Sequence, residues 1–327
     1  MALNNTITTV GVPSSAGYLV YSGLIHPIYA ESFIKRLYAE TISGQITSQS
    51  VVPSELRQHG DLAIFRTAPR GQLHRYAKNQ DLEVSTFNSE TRTFKVDQAH
   101  YWNLKLDEVD VRQIKDLGMW IKLFQDDSMQ QLAAIYDHDI LETMVHSAHP
   151  CNAGDKAGIR SRSYNLGKIG VPLPLSASST VNPLTLTAVM RAVAGEQNVP
   201  YKGLVMIWPQ VCQPLFLATP VLANAYQSGA GKSSLISGEV TEVMGIKHFF
   251  SANAPTYIDP VTAEVTYPVI LCNKEATGFV NQLSQTQMIK EDPRSFSQYW
   301  RGLQIAGWGV IRPELIVRAY VKVQSII

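Results

Sequence analysis

The chain is short of cysteine, of long apolar runs and of net charge. Its three cysteines, Cys151, Cys212 and Cys272, lie far apart and form no CxxC pair, so paired-cysteine motifs are absent and buried free thiols of a reducing compartment are the default reading. No stretch approaches the roughly 18 apolar residues that a membrane span needs. The opening residues, MALNNTITTVGVPSSAGYLVYSG, contain neither a basic region nor a sustained apolar run, so no signal or transit peptide is expected. Lys and Arg number 28 against 27 Asp and Glu, giving a net charge of +1 and a pI near 7.7. That balance argues against tight, specific binding of nucleic acid, which needs clustered cations on phosphates.

What is there suits a folded chain that associates. The 327 residues are 45% hydrophobic and only 17% charged, enough for one large or two linked domains. Low charge density fits a surface buried against further copies of the chain.

The patterning changes along the chain. Residues 1–25 are small and polar and read as an extended arm. Residues 27–41 (PIYAESFIKRLYAET) predict a short amphipathic helix, with Ile28, Phe33, Ile34 and Leu37 as its buried stripe. Residues 43–60 are polar and turn-rich. A strand is predicted at 62–66. Residues 68–96 carry few aliphatics and many charges of both signs. They predict an extended two-stranded excursion, which is marginal in water unless a neighbouring subunit covers it. In 101–111, Trp102, Leu104 and Leu106 alternate with Asn103, Lys105 and Asp107, the period of a half-buried strand.

The longest regular element is predicted from about 115 to 148. Trp120, Phe124, Met129, Leu132, Tyr136, Ile140 and Met144 recur at helical spacing, with no proline before Pro150. At 1.5 Å per residue, about 30 residues span roughly 45 Å, the length of a spine. Residues 149–181 read as a long loop. Asn182 as N-cap and Pro183 at the first helical position open a second helix, which closes near Gly195. From 201 onward short apolar strands at 204–208, 240–250 and 269–271 alternate with short helices. The chain closes on a strand in which Val317, Ala319, Val321 and Val323 alternate with Arg318, Tyr320 and Lys322.

Chemical motifs are weak by comparison. SGAGKSS, residues 228–234, ends like a P-loop, but the leading glycine position holds Tyr226, and neither a preceding strand nor a following helix is predicted. A surface loop is the better reading. His138, Glu142 and His146 stand at i, i+4 and i+8 on the long helix, with His149 and Cys151 beyond. Two histidines and a carboxylate at that spacing can bind zinc, yet the pattern is not HExxH, and a solvated polar face gives the same spacing. Asp126–Asp127 and Asp137/Asp139 are too close in sequence to share a helix face as a catalytic dyad. Cys151 beside His149 reads as a loop cysteine rather than a nucleophile. No catalytic residue, metal site or cofactor is expected, and the chain is not expected to be an enzyme.

The order of these parts resembles that of tailed-bacteriophage major capsid proteins of the Hong Kong 97 type. IYAESFIKRLYAETI is similar to the family's arm helix. HGDLAIFRTAP and TRTFKVDQAHYWNLKLDEVD resemble the two limbs of its extended loop. DDSMQQLAAIYDHDILETM is similar to the spine helix, and NPLTLTAVMRAVAGEQNVPYKGLVMIWPQVCQPLF to the passage into the axial domain. GEVTEVMGIKHFFSANAP and FSQYWRGLQIAGWGVIRPELIVRAYV resemble a later strand and the C-terminal strand pair. Together these cover most of residues 25–323.

The resemblance implies an α+β fold of that type: an N-terminal arm (1–42), an extended β-hairpin loop (43–100) and a peripheral domain (101–200) with the spine helix at about 115–148. An axial domain (201–313) and a C-terminal strand returning to the peripheral domain (314–327) complete it. It implies a structural protein whose pentamers and hexamers build an icosahedral shell around phage double-stranded DNA. Assembly would take place in the bacterial host cytoplasm and the protein would reside in the virion capsid. The partners implied are other copies of the chain and the portal protein, with scaffolding and cement or decoration proteins besides. Contact with packaged DNA would be weak and non-specific, and no membrane is involved. Met1 leads straight into the arm, so a separate scaffolding protein or none is expected. Candidate inter-subunit contacts on the loop are Arg70, His74, Arg75, Tyr76, Lys78, Asn79 and Glu83. Lys78 and Asn79 read equally well as a solvated turn. Candidate axial-loop residues are Ser228, Gly229, Gly231 and Lys232, in a loop approaching a symmetry axis. Covalent cross-linking through Lys78 is not expected, because no matching Asn or acid is found. The competing readings are an encapsulin-like cargo shell and, from another class, a P-loop or metal-dependent enzyme.

Overall fold

The computed structural model describes residues 38–68, 71, 73–76, 78, 80–81, 84, 90–113, 117–177, 179–219, 242–260, 263–289 and 295–324. From Tyr38 the chain is irregular until a single helical turn, α1 (Ser43–Ile46), and a 3-10 turn at Ser54–Arg57. It then enters β1 (Leu62–Arg66), and β2 (Thr91–Lys95) returns antiparallel to it. β3 (Gln98–Asp107) leads into the short helix α2 (Glu108–Gln113) and then α3 (Leu117–Ser147), 31 residues long. After a 3-10 turn at Pro150–Asn152 come β4 (Leu173–Leu175), α4 (Pro183–Glu196), β5 (Leu204–Pro209) and α5 (Gln213–Ala218). The remaining strands are β6 (Glu242–Val243), β7 (Ile246–Ser251), β8 (Tyr257–Ile258), β9 (Val265–Asn273), β10 (Thr277–Ile289), β11 (Ser297–Val310) and β12 (Ile316–Val323).

The larger sheet runs β4-β12-β9-β5-β7-β6, with β8 paired to β9. It is the middle of three layers. Leu186, Met190, Val193 and Ala194 of α4, with Leu215 and Phe216 of α5, pack on one face against Met206, Trp208, Leu271, Val317 and Val321. Ile140, Leu141, Met144 and Val145 of α3 pack on the other, against Val205, Ile207, Ile270, Cys272, Ile316 and Tyr320. A sheet covered on both faces takes continuous apolar strands rather than alternating ones, and all six residues of β5 are buried. Each Val, Leu, Ile, Phe and Met among them contributes about 1.5–3 kcal/mol by leaving water. α4 begins as its sequence requires. Asn182 accepts from the Thr185 backbone nitrogen at 2.8 Å, and the Thr185 hydroxyl accepts from the Asn182 nitrogen at 2.9 Å.

The smaller sheet, β10-β11-β3, is antiparallel. The indole of Trp102 lies across Gly302, where a Cβ would collide with it, and makes an edge contact with Phe124 of α3 at 5.8 Å. The opposite face of this sheet holds the root of the β1–β2 hairpin through Val52, Leu56, Ala63, Phe94, Val96, Val280 and Ile311. Gly307 permits this approach, since a Cβ there would stand 2.6 Å from the Lys95 carbonyl oxygen and 2.7 Å from Val96 Cα.

Several expectations change. Residues 38–41 are irregular, and the helical turn comes later, at α1; residues 27–37 lie outside the described residues. The stripe of the long helix is buried only over its second half. Trp120 and Met129 are exposed, because this end of α3 reaches beyond the larger sheet. The strand read over 240–250 is broken by a two-residue turn, Met244-Gly245, with φ of 54° and 73°, the primed geometry that suits a tight hairpin. Tyr320 is buried rather than outward-facing, since α3 covers the side of β12 that the alternation assigned to solvent.

Sheet membership also cuts across the expected chain divisions. β10 and β11, inside the stretch 201–313, pair with each other and, through β11, with β3 rather than with β5. The terminal strand β12 lies beside the long helix but in the larger sheet, between β9 and β4. Residues 37–327 form one compact unit.

Candidate functional site

The β1–β2 hairpin has an inner and an outer side. Ala63 and Phe65 of β1, with Phe94 of β2, face the body. Leu62 and Ile64 face outward, and Ile64 is 61% exposed. Arg92 fixes the hairpin laterally by donating to Glu314 at 3.0 Å. Beyond Arg66 and Thr91, Leu73, Tyr76 and Val84 are exposed, Val84 to 91%. Large apolar side chains so far from any core mark a surface that meets something else. His74, Arg75, Tyr76 and Lys78 lie on this segment and are exposed. Arg70, Asn79 and Glu83 lie outside the described residues, as do Ser228, Gly229, Gly231 and Lys232 and with them the whole of SGAGKSS.

The smaller sheet adds a second open surface. Past the hairpin root its outer face presents Tyr101 opposite Leu303, and Asn103 opposite Arg301. Tyr101 is 80% exposed. Arg301 donates to Gln287 at 3.1 Å, and Lys105 Nζ stands 5.8 Å from the centre of the Tyr299 ring. On the other side a groove runs between α3 and the sheet, lined by Met129, Leu132, Ile135, Trp102, Gln285 and Gln304. The exposed face of α3 therefore continues into this groove. Sequence periodicity could not find these surfaces, because it marks apolar residues without saying which ones their own chain leaves uncovered.

The reactive groups are placed for structure. Burial pushes the thiols of Cys212 and Cys272 up to about 12, so neither is a thiolate nucleophile at neutral pH. His149 Nδ1 accepts from the backbone nitrogen of Cys151 at 3.2 Å and caps the 3-10 turn. The ring thus serves the backbone of that turn. Asp127 accepts from the Tyr38 hydroxyl at 2.7 Å and from Gln131 at 2.8 Å. Asp137 is fully buried and hydrogen-bonded, whereas Asp139 is partly exposed. The expected histidine cluster on α3 regroups. His138, Asp139 and Glu142 bring ligand-type atoms within 4.8 Å of one another, while His146 lies outside that group, 3.8 Å from Glu142 and 3.3 Å from the Tyr257 hydroxyl. Among the described residues no helix is long and apolar enough to cross a membrane.

No family model matches the chain, and no curated protein matches it. Solved structures do. A chain of Mycobacterium phage Che8 superposes with a TM-score of 0.70 at 17% identity, covering 90% of this chain and 96% of that one. The capsid structure of cyanophage P-SCSP1u gives a TM-score of 0.69 at 16% identity over 98% and 100% of the two chains. The capsid asymmetric unit of cyanophage Pam1 gives 0.68 at 11% identity over 94% and 99%. The fold is therefore shared with these phage proteins over nearly the whole length. It is mixed α and β and of the Hong Kong 97 type.

Proposed function

We propose that the chain is a major capsid protein whose copies assemble into the icosahedral shell of a tailed bacteriophage. The observation that carries this reading is the apolar surface the chain leaves uncovered on its own hairpin: Ile64, Leu73, Tyr76 and Val84. An isolated hairpin is marginal in water, and a monomer gains nothing from presenting leucine and valine at its end. The fold, shared with chains from phage capsids, supports shell assembly as the use of that surface.

In this reading the hairpin of one subunit lies on a neighbour, with His74, Arg75, Tyr76 and Lys78 among its contacts. Arg70, Asn79 and Glu83 belong to the same loop in sequence. α3 and the smaller sheet make up the peripheral part and the larger sheet the axial part. Pentamers and hexamers arise because closed rings satisfy every such contact, and many weak contacts sum through multivalency. Partners are other copies, a portal protein and, where the phage encodes them, scaffolding and cement proteins. The near-neutral charge of +1 suits a wall that touches packaged DNA weakly and non-specifically. The protein would assemble in the host cytoplasm and remain in the virion.

Negative-stain electron microscopy of the chain expressed alone, and then with the neighbouring genes, tests this. Shells, tubes or uniform rings are expected in at least one of the two preparations. Monomers or dimers in both would overturn the reading.

A further inference from the structure

We propose that the outer face of α3 carries a site for a divalent first-row transition metal, Zn2+ foremost, held by His138, Asp139 and Glu142. This is independent of the assembly role. One imidazole nitrogen and one oxygen from each carboxylate lie within 4.8 Å of one another. Tetrahedral zinc with ligands at about 2.0–2.2 Å needs them about 3.3 Å apart. The three side chains are exposed or partly so, and binding requires their ligand atoms to approach by up to about 1.5 Å.

The imidazole is already oriented for the task. His138 Nδ1 lies 3.0 Å from the carbonyl oxygen of Asn253, in the turn after β7. A carbonyl only accepts, so the neutral ring carries its proton on Nδ1 and keeps the Nε2 lone pair free. Histidines that bind metals are held in this way, with the second nitrogen donating to a carbonyl or carboxylate. The holding group here comes from a different element, so the ring is fixed from the sheet side and not by the cluster itself.

The neighbouring histidine is set differently. The Tyr257 hydroxyl stands 3.3 Å from His146 Nε2, within hydrogen-bond distance. His146 thereby engages Tyr257, and Asp139 takes its place as third ligand. Two carboxylates and a neutral imidazole balance a dication, and the imidazole favours zinc-like ions over Mg2+ and Ca2+. Three protein ligands leave the fourth position to water. Through Asn253 a bound ion would tie α3 to the larger sheet, and binding to the folded chain alone raises its melting temperature.

Calorimetric titration of ZnCl2 into the untagged full-length chain tests this. One site per chain is expected. Asp139→Asn and Glu142→Gln should each weaken it at least about tenfold, with the metal-free melting temperature unchanged. His146→Ala should leave the affinity as it is, and MgCl2 should give no binding heat. Zn2+ binding that is absent, or equal in the wild type and both carboxylate variants, would overturn the site. Loss in His146→Ala but not in Asp139→Asn would overturn this set of ligands, and Mg2+ binding as tightly as Zn2+ would overturn the choice of metal.

Discussion

Asp137 Oδ1 lies 2.8 Å from the backbone nitrogen of Ser43, across 94 residues of sequence. The same oxygen accepts from Ile42 N at 3.0 Å, while Oδ2 accepts from Asn253 Nδ2 at 3.1 Å and from the Ser251 hydroxyl at 3.4 Å. One fully buried carboxylate of α3 thus joins the start of α1 to the end of β7. Asp137→Ala leaves four donors, two of them buried, without this acceptor, at a cost of about 2–4 kcal/mol. Chemical denaturation measures it, and a loss below about 0.5 kcal/mol, the level of an ordinary surface change, would refute the clamp.

Gly307 is needed for space, not for backbone conformation. Its φ is not among the positive values, but a Cβ would meet the backbone of Lys95 and Val96. Backbone cannot rotate away as a side chain can. Gly307→Ala should therefore cost about 1–3 kcal/mol and loosen the hairpin root, seen as faster amide exchange in β2. Unchanged exchange in β2 would mean that the contact has slack to give.

The buried His248 makes the fold sensitive to acid. Burial pushes its pKa down from 6.5 to about 4, and a hydrogen bond to the Val243 backbone only partly offsets this. The Trp208 indole N–H donates to His248 Nδ1 at 3.0 Å, which fixes the neutral ring. The unfolded chain takes up the proton more readily, so stability is intact above about 6.5, declines as pH falls and levels off near 4. The difference amounts to about 3 kcal/mol. Comparing urea stability from pH 7 to 4 in the wild type and in His248→Gln isolates it. Parallel curves would show that this imidazole does not drive the loss.

Leu73→Asp combined with Val84→Asp separates folding from assembly. Both positions are almost fully exposed, so the stability of the unassembled chain should change by less than about 0.5 kcal/mol. Shells or rings in electron micrographs should disappear. Wild-type particles from the double variant would show that these side chains do not meet a neighbour.

Local signals survived where a short stretch fixes its own geometry. The strand at 62–66 and the capped helix after Asn182 appear where they were read. The alternation of Trp102, Leu104 and Leu106 emerges as one half-buried face of β3. Asp137 was weighed only as half of a carboxylate pair, because an aspartate inside a helix carries no mark of burial until its partners arrive from residues 42, 43, 251 and 253. The turn at Met244-Gly245 lacked the Asn-Gly or Asp-Gly signature that would have announced it.

The sequence by itself determined the parts and their order: the excursion, the long proline-free helix and the apolar strands. Each rests on periodicity and capping within a few residues. Tertiary structure decided which faces were covered. It brought β10 and β11 to β3 and set β12 between β9 and β4. It buried Tyr320 beneath α3 while leaving Trp120 and Met129 of the same helix exposed. Those outcomes depend on pairing and packing between residues far apart in the chain, where burial is settled by what arrives on the opposite side and not by the residue's own neighbours.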